Sequence, residues 1–378
     1  MAKSRKGRGS LVPAQPYKFR RRYSVLDILL KKEKNFLYFI TFAFILAGAV
    51  YPYAPVAMWV GFAFAGYSAI ANDSIQTIGT FIVSNEDKKW YWQWLFMGGI
   101  FLATVFYSWY FFNGDVTYER LASKGFSDTP TSFVFLQIAA PIILLLLTRF
   151  RIPVSTTFML LSMFTIDSKA ILSMVNKSLM GYVAAFVVAL LLYLLLTNII
   201  KKFIKGEAHG AWIWAQWIIS GFLWHIWLAQ DLANIAVYLP RQLNVWEFVA
   251  FAAFIFFGLA YLFYMRGEKI QNIINEKSEV RDVRSATIID LVYALILYYF
   301  KEINNVPMST TWVFVGLLAG RELGMRIRSR DSGTKIVKTF KLIGRDILSV
   351  TFGLIISILL AIAINPAIQD EIKAYFFK

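Results

Sequence analysis

The 378-residue chain contains no cysteine, so disulfides and thiolate metal sites are excluded. Charge is scarce too: 16% of residues are charged, where a soluble domain usually carries about 25%. No HExxH, P-loop or GxSxG string occurs, so hydrolase and ATPase readings have no support. Residues 1–34 hold no apolar run beyond Leu26–Leu30, so no signal-peptide core is expected there.

What the chain has instead is apolar surface. Hydrophobic residues make up 58% and aromatic residues 17%, with a mean hydropathy of +0.56. That surplus needs lipid as its solvent, and the length allows roughly ten spans or half-spans of about 20 residues. The net charge of +16 invites a nucleic-acid partner, but its distribution argues against one. Basic residues gather in an arm (Lys3, Arg5, Lys6, Arg8, Lys18, Arg20, Arg21, Arg22), at Lys201, Lys202 and Lys205, and along Arg321–Lys341. The loop at 113–130 is near neutral. Such asymmetry is the positive-inside pattern, so the arm is expected on the cytoplasmic side, touching anionic lipid rather than nucleic acid. Tryptophans at 90, 92, 94, 212, 214 and 217 fall near segment ends, as an interfacial belt would.

Apolar segments run at about 36–51, 56–71, 95–112, 132–148, 180–200, 211–229, 246–265, 286–300, 308–320 and 347–364. Several are too short to cross a core of about 30 Å as straight helices. Segment 56–71 ends at Asn72-Asp73, and 211–229 ends at Gln230-Asp231. Short segments in corresponding places of two halves point to a midplane binding site.

Two polar strings occur twice, in the same order. Asn72-Asp73 with Gln76 and Thr77 is answered by Gln230-Asp231 with Asn234. Pro153-Val154-Ser155-Thr156-Thr157 is answered by Pro307-Met308-Ser309-Thr310-Thr311. Asp231 follows Asp73 by 158 residues, and Ser309 follows Ser155 by 154. An all-α polytopic transporter of two repeats fits, with a basic arm at 1–35 and repeats at 36–205 and 206–378.

Proline turns the residue before it away from helix, and a serine or threonine then caps the next one. Each Ser-Thr-Thr string is therefore expected to open a half-helix inside the membrane. Its unpaired N–H groups, hydroxyls and positive dipole end suit an oxyanion. A carboxylate inside a membrane segment costs a few kcal/mol and is normally functional. Around Asp73 and Asp231 the spacing of four sets Asn72 over Gln76 and Gln230 over Asn234. Amide oxygens, a hydroxyl and one carboxylate make a hard-cation site. A dianion beside two buried carboxylates would meet repulsion that a low dielectric barely screens, so cations or protons must enter with it.

The ordered pair of motifs, Asn72-Asp73-x-x-Gln76-Thr77-x-Gly79-Thr80 with both Pro-x-Ser-Thr-Thr strings, resembles the inorganic phosphate transporter (PiT) family, whose relatives include sulfate permeases. The resemblance spans about 56–364. It implies an inverted-repeat fold with broken helices or re-entrant hairpins at the midplane, and cation-coupled oxyanion uptake. The oxyanion, phosphate before sulfate, would sit on Ser155, Thr156, Thr157, Ser309, Thr310 and Thr311. Co-transported Na+ or H+ would sit on Asn72, Asp73, Gln76, Thr77, Gln230, Asp231 and Asn234. No other cofactor is implied, and a homodimer is left open. The chain departs from the family where a histidine usually follows the threonines: Phe158 and Trp312 stand there. Gln230 replaces an asparagine, and Ile235 stands where Thr77 stands in the first copy.

Other residues carry smaller expectations. His225 is six residues from Asp231, off its helical face, and is expected to bond between helices; His209 lies in the 206–210 loop. Gly316, Gly320 and Gly324 form a small-residue stripe for close helix contact. Asp290 reads as a helix-start charge rather than an accessory ion ligand. An intramembrane aspartyl protease with an Asp73–Asp231 dyad would leave both Ser-Thr-Thr strings unexplained, and neither aspartate follows a glycine. A non-transporting membrane sensor or scaffold remains the other alternative.

Overall fold

The structure, a computed structural model, describes residues 33–123, 125–150, 152–165, 168–203, 206–265, 282–303, 309–328 and 333–376. The expected basic arm lies almost wholly outside the described residues, as do Pro307 and Met308. Two compact units are distinguished, Met1–Phe42 and Ala43–Lys378. Of the first, the described residues lead into the opening turns of α1 (Lys34–Val50); everything below concerns the second.

Among the described residues every regular element is helical. The order continues as α2 (Ala54–Ser84), α3 (Trp90–Phe111), α4 (Phe135–Arg149), α5 (Thr156–Met159) and α6 (Ser168–Phe203). Then come α7 (Ala211–Asp231), α8 (Ala233–Ala236), α9 (Val245–Tyr264), α10 (Val283–Leu297), α11 (Thr310–Arg328), α12 (Gly333–Ile364) and α13 (Pro366–Phe376). Six of the described helices contain stretches long and apolar enough to cross a membrane. Their outer faces carry large apolar side chains in the open, such as Leu195 at 70% and Leu348 at 72% exposure. Water would not tolerate that surface, so the molecule is an integral, multi-pass membrane protein.

Local chemistry explains where helices begin. Pro55 stands in the first turn of α2, where its missing N–H costs nothing. Asn244 caps α9, accepting from the N–H of Trp246 and Glu247, while Glu247 accepts from the Asn244 N–H at 2.9 Å. Asp282 caps α10, accepting from the Arg284 N–H at 2.8 Å.

Two packing devices shape the region around the strings. Pro141 lies inside α4 and cannot donate to the Gln137 carbonyl four residues back. The Tyr238 hydroxyl, just after α8, donates to that carbonyl at 2.7 Å. The segment after α8 is held by Arg241, whose guanidinium donates to the carbonyls of Leu239 (2.7 Å), Val237 (3.3 Å) and Phe126 (2.7 Å). Burial draws that guanidinium down to about 10, against the pull of Asp115 and Asp128.

The second device is the glycine stripe, which does bring two helices into close contact. A Cβ at Gly316 would stand 2.4 Å from the Tyr182 carbonyl oxygen, and one at Gly320 would stand 2.2 Å from that of Phe186. α11 thus lies backbone to backbone against α6, as small-residue stripes permit in membranes. The tryptophans divide between two duties. Trp92 and Trp214 are exposed as a belt requires, but Trp94 donates to the Phe256 carbonyl at 2.9 Å and Trp217 to Asn85 Oδ1 at 3.0 Å.

Three expectations need correction. The apolar segment 56–71 ends at Asn72-Asp73, but the helix does not break there: α2 continues through them to Ser84. Nothing in Asn-Asp-Ser-Ile-Gln-Thr forces a break: Asn72 finds partners in Val154 and Thr148, and Gln76 Nε2 in Thr311. Asp290 is no helix-start charge; it is buried in the middle of α10, and Asp282 occupies the start. The apolar run at 180–200 is part of a helix of 36 residues.

Candidate functional site

The two Ser-Thr-Thr strings fold alike. Ser155 is the N-cap of α5, and its Oγ accepts from the Phe158 N–H at 3.4 Å. Ser309 stands just before α11, and its Oγ accepts from the Trp312 N–H, also at 3.4 Å. The Ser309 N–H in turn donates to Ser178 Oγ of α6 at 3.1 Å. Ser155, Thr156, Ser309, Thr310 and Thr311 are buried; Thr157 is half-buried. α5 is a single turn followed by a 3-10 turn, Leu161–Met163, so the first string opens a broken helix as expected. The second opens a continuous helix of 19 residues.

The acidic strings differ in setting. Asn72, Asp73, Gln76 and Thr77 sit buried in mid-helix on α2, whereas Gln230 and Asp231 are buried at the end of α7. Asn234 follows on the single turn α8. Each carboxylate is engaged by its own string: Asn72 Nδ2 donates to Asp73 Oδ1 at 2.6 Å, and Asn234 Nδ2 to Asp231 Oδ1 at 3.3 Å. The Thr77 hydroxyl donates back to the Asp73 carbonyl at 3.3 Å.

Hydrogen bonds then tie all four strings together. Asn72 Nδ2 donates to the Val154 carbonyl at 2.9 Å. Gln76 Nε2 donates to Thr311 Oγ1 at 3.3 Å, and the Thr311 hydroxyl approaches the Val154 carbonyl at 3.4 Å. From the other side, Asn234 Nδ2 reaches Thr156 Oγ1 and Thr157 Oγ1, each at 3.1 Å. The first acidic string therefore bonds to the second Ser-Thr-Thr string, and the second acidic string bonds to the first. Residues up to 235 positions apart meet in one buried polar centre.

This arrangement has definite chemistry. Thr311 gives its O–H to the Val154 carbonyl, but a threonine hydroxyl that accepts from an amide otherwise keeps its own O–H to give, so Thr156 and Thr157 are oriented as donors. The same holds for Ser155 and Ser309, which accept from backbone N–H groups. On the acidic side, Gln76 Oε1 and Asn234 Oδ1 are buried oxygens that receive no hydrogen bond among the described residues. A buried oxygen without a donor is costly unless something positive faces it, so the donor set fits a small hard cation.

Some site residues left no mark in the sequence reading. Val154 contributes a carbonyl freed by the non-helical stretch 152–155, and a backbone carbonyl has no residue-type signature. Thr148 donates to Asn72 Oδ1 at 3.2 Å, and the Tyr293 hydroxyl donates to the Thr310 carbonyl at 3.1 Å. His225 meets Thr104 Oγ1 at 2.8 Å through Nδ1, joining α7 to α3 as expected.

No protein-family model and no curated protein matches the chain. Among solved structures, one titled "The sodium-dependent phosphate transporter" is similar, with a TM-score of 0.54 at 16% identity. The likeness covers 85% of this chain and 99% of that one. At that identity the comparison speaks for the architecture: this chain has a fold similar to that of a sodium-dependent phosphate transporter.

Proposed function

We propose that the protein is a secondary transporter moving inorganic phosphate across the membrane by cation symport. The observation that carries this reading is the reciprocal bonding of the four strings, Gln76 to Thr311 and Asn234 to Thr156 and Thr157. Ser155, Thr156, Thr157, Ser309, Thr310 and Thr311 supply hydroxyl and N–H donors to the oxyanion. Asn72, Asp73, Gln76 and Thr77 hold one cation, and Gln230, Asp231 and Asn234 hold the other. Coupling follows from charge: a dianion shares a low-dielectric site with two carboxylates only when cations neutralise it. Sodium is preferred at Asp73, because amide and hydroxyl oxygens suit a hard ion; Asp231 takes sodium or a proton.

In this reading the two halves, 36–205 and 206–378, are inverted repeats, and each pairs its acidic string with the other half's Ser-Thr-Thr string. Rocking of one half against the other would expose the centre to each side alternately. The basic arm and the Arg321–Lys341 stretch face the cytoplasm.

The test is uptake of radiolabelled phosphate and sulfate into proteoliposomes, with and without an inward sodium gradient. Sodium-stimulated phosphate uptake supports the proposal. Preference for sulfate moves the substrate to another oxyanion, and absence of uptake of either overturns transport in favour of a sensor or scaffold. Thr156→Val and Thr310→Val each delete a hydroxyl at constant volume, which should weaken phosphate by about 1.5–3 kcal/mol. Unchanged apparent affinity in both variants would remove the hydroxyl cradle.

A further inference from the structure

Another fully buried carboxylate lies away from the four strings. Asp290 of α10 accepts from Thr80 Oγ1 of α2 through Oδ1 and from Ser220 Oγ of α7 through Oδ2, each at 2.5 Å. It thereby ties three helices, and no basic side chain pairs with it among the described residues.

Its position relative to the centre is ordered. Asp73, Thr77, Thr80 and Ser84 recur at spacings of four, three and four, so they share one face of α2. Eleven residues of helix span about 16 Å. At the far end Asn85 Nδ2 donates to Gln216 Oε1 at 2.9 Å, Gln216 reaches Ser84 Oγ, and Gln93 Nε2 donates to the Asn85 carbonyl at 2.8 Å. Beyond it come Glu86, Asp87, Lys88 and Lys89, with Glu86, Asp87 and Lys89 exposed. A file of polar side chains on one face of α2 therefore leads from the exposed turn at 86–89 to the acidic string, and Asp290 stands beside it midway along.

The ligand chemistry at Asp290 separates a proton from a metal cation. One carboxylate and two hydroxyls fall short of the six or so oxygens that hard cations take. Two hydroxyls do suit a carboxyl that changes protonation. With the carboxylate, both hydroxyls donate; with the acid, one bond reverses and Asp290 O–H donates to Thr80 or Ser220. Both states keep their hydrogen bonds, and only the charged one bears the cost of an ion buried in a membrane. Of the titratable groups on the helices packed against α10, Tyr193 of α6 is linked electrostatically to Asp290, and Arg321 of α11 lies 5.9 Å from the Tyr193 ring centroid. Asp73 of α2 and Asp231 of α7 act on Tyr293 of α10. Tyr67 of α2 and His225 of α7 complete the set on those two helices, and Arg284 at the start of α10 is paired with Asp282.

We propose that Asp290 is a proton-binding site between the exposed turn at 86–89 and the acidic string on α2, distinct from the two proposed cation positions at Asp73 and Asp231. A hydronium ion arriving along the file gives its proton to a carboxylate oxygen and leaves as water; release is the reverse. Its contribution to coupling rests on the transporter reading, whereas the proton site itself does not.

The test is infrared difference spectroscopy of the protein in lipid nanodiscs, acid against alkaline. The expected spectrum has a protonated-carboxyl carbonyl band that fades as pH rises, is absent in Asp290→Asn and shifts in frequency in Thr80→Val and Ser220→Ala. If Asp290→Asn does not fold, the shifts in the two hydroxyl variants decide alone. An identical difference band in Asp290→Asn, or unshifted bands in both hydroxyl variants, would overturn the site. Loss of the band on adding sodium at constant acid pH would also overturn it, in favour of a metal cation. In proteoliposomes Asp290→Asn should flatten the pH dependence of uptake. Failure of the parent protein to transport would sink the transporter reading and leave the infrared result standing.

Discussion

Phe158 and Trp312, the third residues after the serines of the two Ser-Thr-Thr strings, pack into one apolar cluster with Val315 and Val350. Each donates its backbone N–H to its own serine at 3.4 Å, so their backbones cap alike while their side chains turn away from the hydroxyls. The family that the paired motifs resemble usually carries histidine at these places. Here the positions are given to packing, so under the transporter reading substrate contacts fall to the hydroxyls and backbone N–H groups.

The first prediction follows. Phe158→His puts a polar ring into a fully buried apolar site and should destabilise the protein by about 1–3 kcal/mol through an unsatisfied group. A lowered melting temperature in detergent, without gain in phosphate affinity, is the expected result. An affinity gain at unchanged stability would show that the ring can reach the ligand.

Much of this was legible in the residues. The all-helical membrane class follows from apolar content, and the broken helix at Thr156 follows from Pro153 and the Ser155 cap. The site strings were found because they recur, and repetition separates them from the lone serines and threonines that membrane helices use for back-bonding. What stayed hidden was tertiary. Asn72-Asp73 looked like the end of a span because hydropathy falls there, yet Val154 and Thr148 absorb the polarity of Asn72 and the helix runs on. Asp290 looked like a cap because it opens an apolar run. Only the arrival of Thr80 and Ser220 from two other helices reveals it as a buried hub.

The contact between α6 and α11 gives the second prediction. In Gly320→Ala the new methyl would stand 2.2 Å from the Phe186 carbonyl oxygen, a backbone atom that cannot rotate aside. Overpacking of this kind costs about 1–3 kcal/mol, and a lower melting temperature should report it. Gly344→Ala is the control, because a Cβ there meets nothing within 4 Å. It should be neutral or stabilising, since alanine favours helix by up to about 1 kcal/mol over glycine. Equal effects of the two changes would contradict the close approach.

Asn234 holds three partners at once: Asp231 Oδ1, Thr156 Oγ1 and Thr157 Oγ1. Asn234→Leu keeps the bulk and removes all three donations, leaving a buried carboxylate oxygen and two hydroxyls to reorient. Phosphate uptake should fall at least tenfold, equivalent to about 1.4 kcal/mol. Asn234→Asp retains the oxygen and loses the amide donor. It adds a negative charge to the centre, so oxyanion affinity should suffer more than in Asn234→Leu. Scintillation uptake assays on both variants decide this; higher affinity in Asn234→Asp would mean that the residue never faces the anion's charge.

The two carboxylates are placed differently, and that difference sets the last prediction. Asp73 sits on an unbroken helix with Asn72, Gln76 and Thr77 in the same buried turns. Asp231 ends α7, and Ile235, buried and apolar, stands where the first copy has the Thr77 hydroxyl. As proposed cation sites, the first thus offers one more oxygen than the second, and a hard cation gains with each oxygen it binds. Under the symport reading Asp73→Asn should abolish sodium-stimulated phosphate uptake. A neutral amide cannot offset the ion's charge, and the phosphate then faces the other carboxylate less well compensated. Asp231→Asn should retain sodium stimulation with a less steep dependence on sodium or an altered pH dependence, because the weaker site can take a proton. Uptake titrated against external sodium in both variants makes the comparison. Stimulation in Asp73→Asn that matches the parent protein would show that the mid-helix carboxylate does not hold the driving ion.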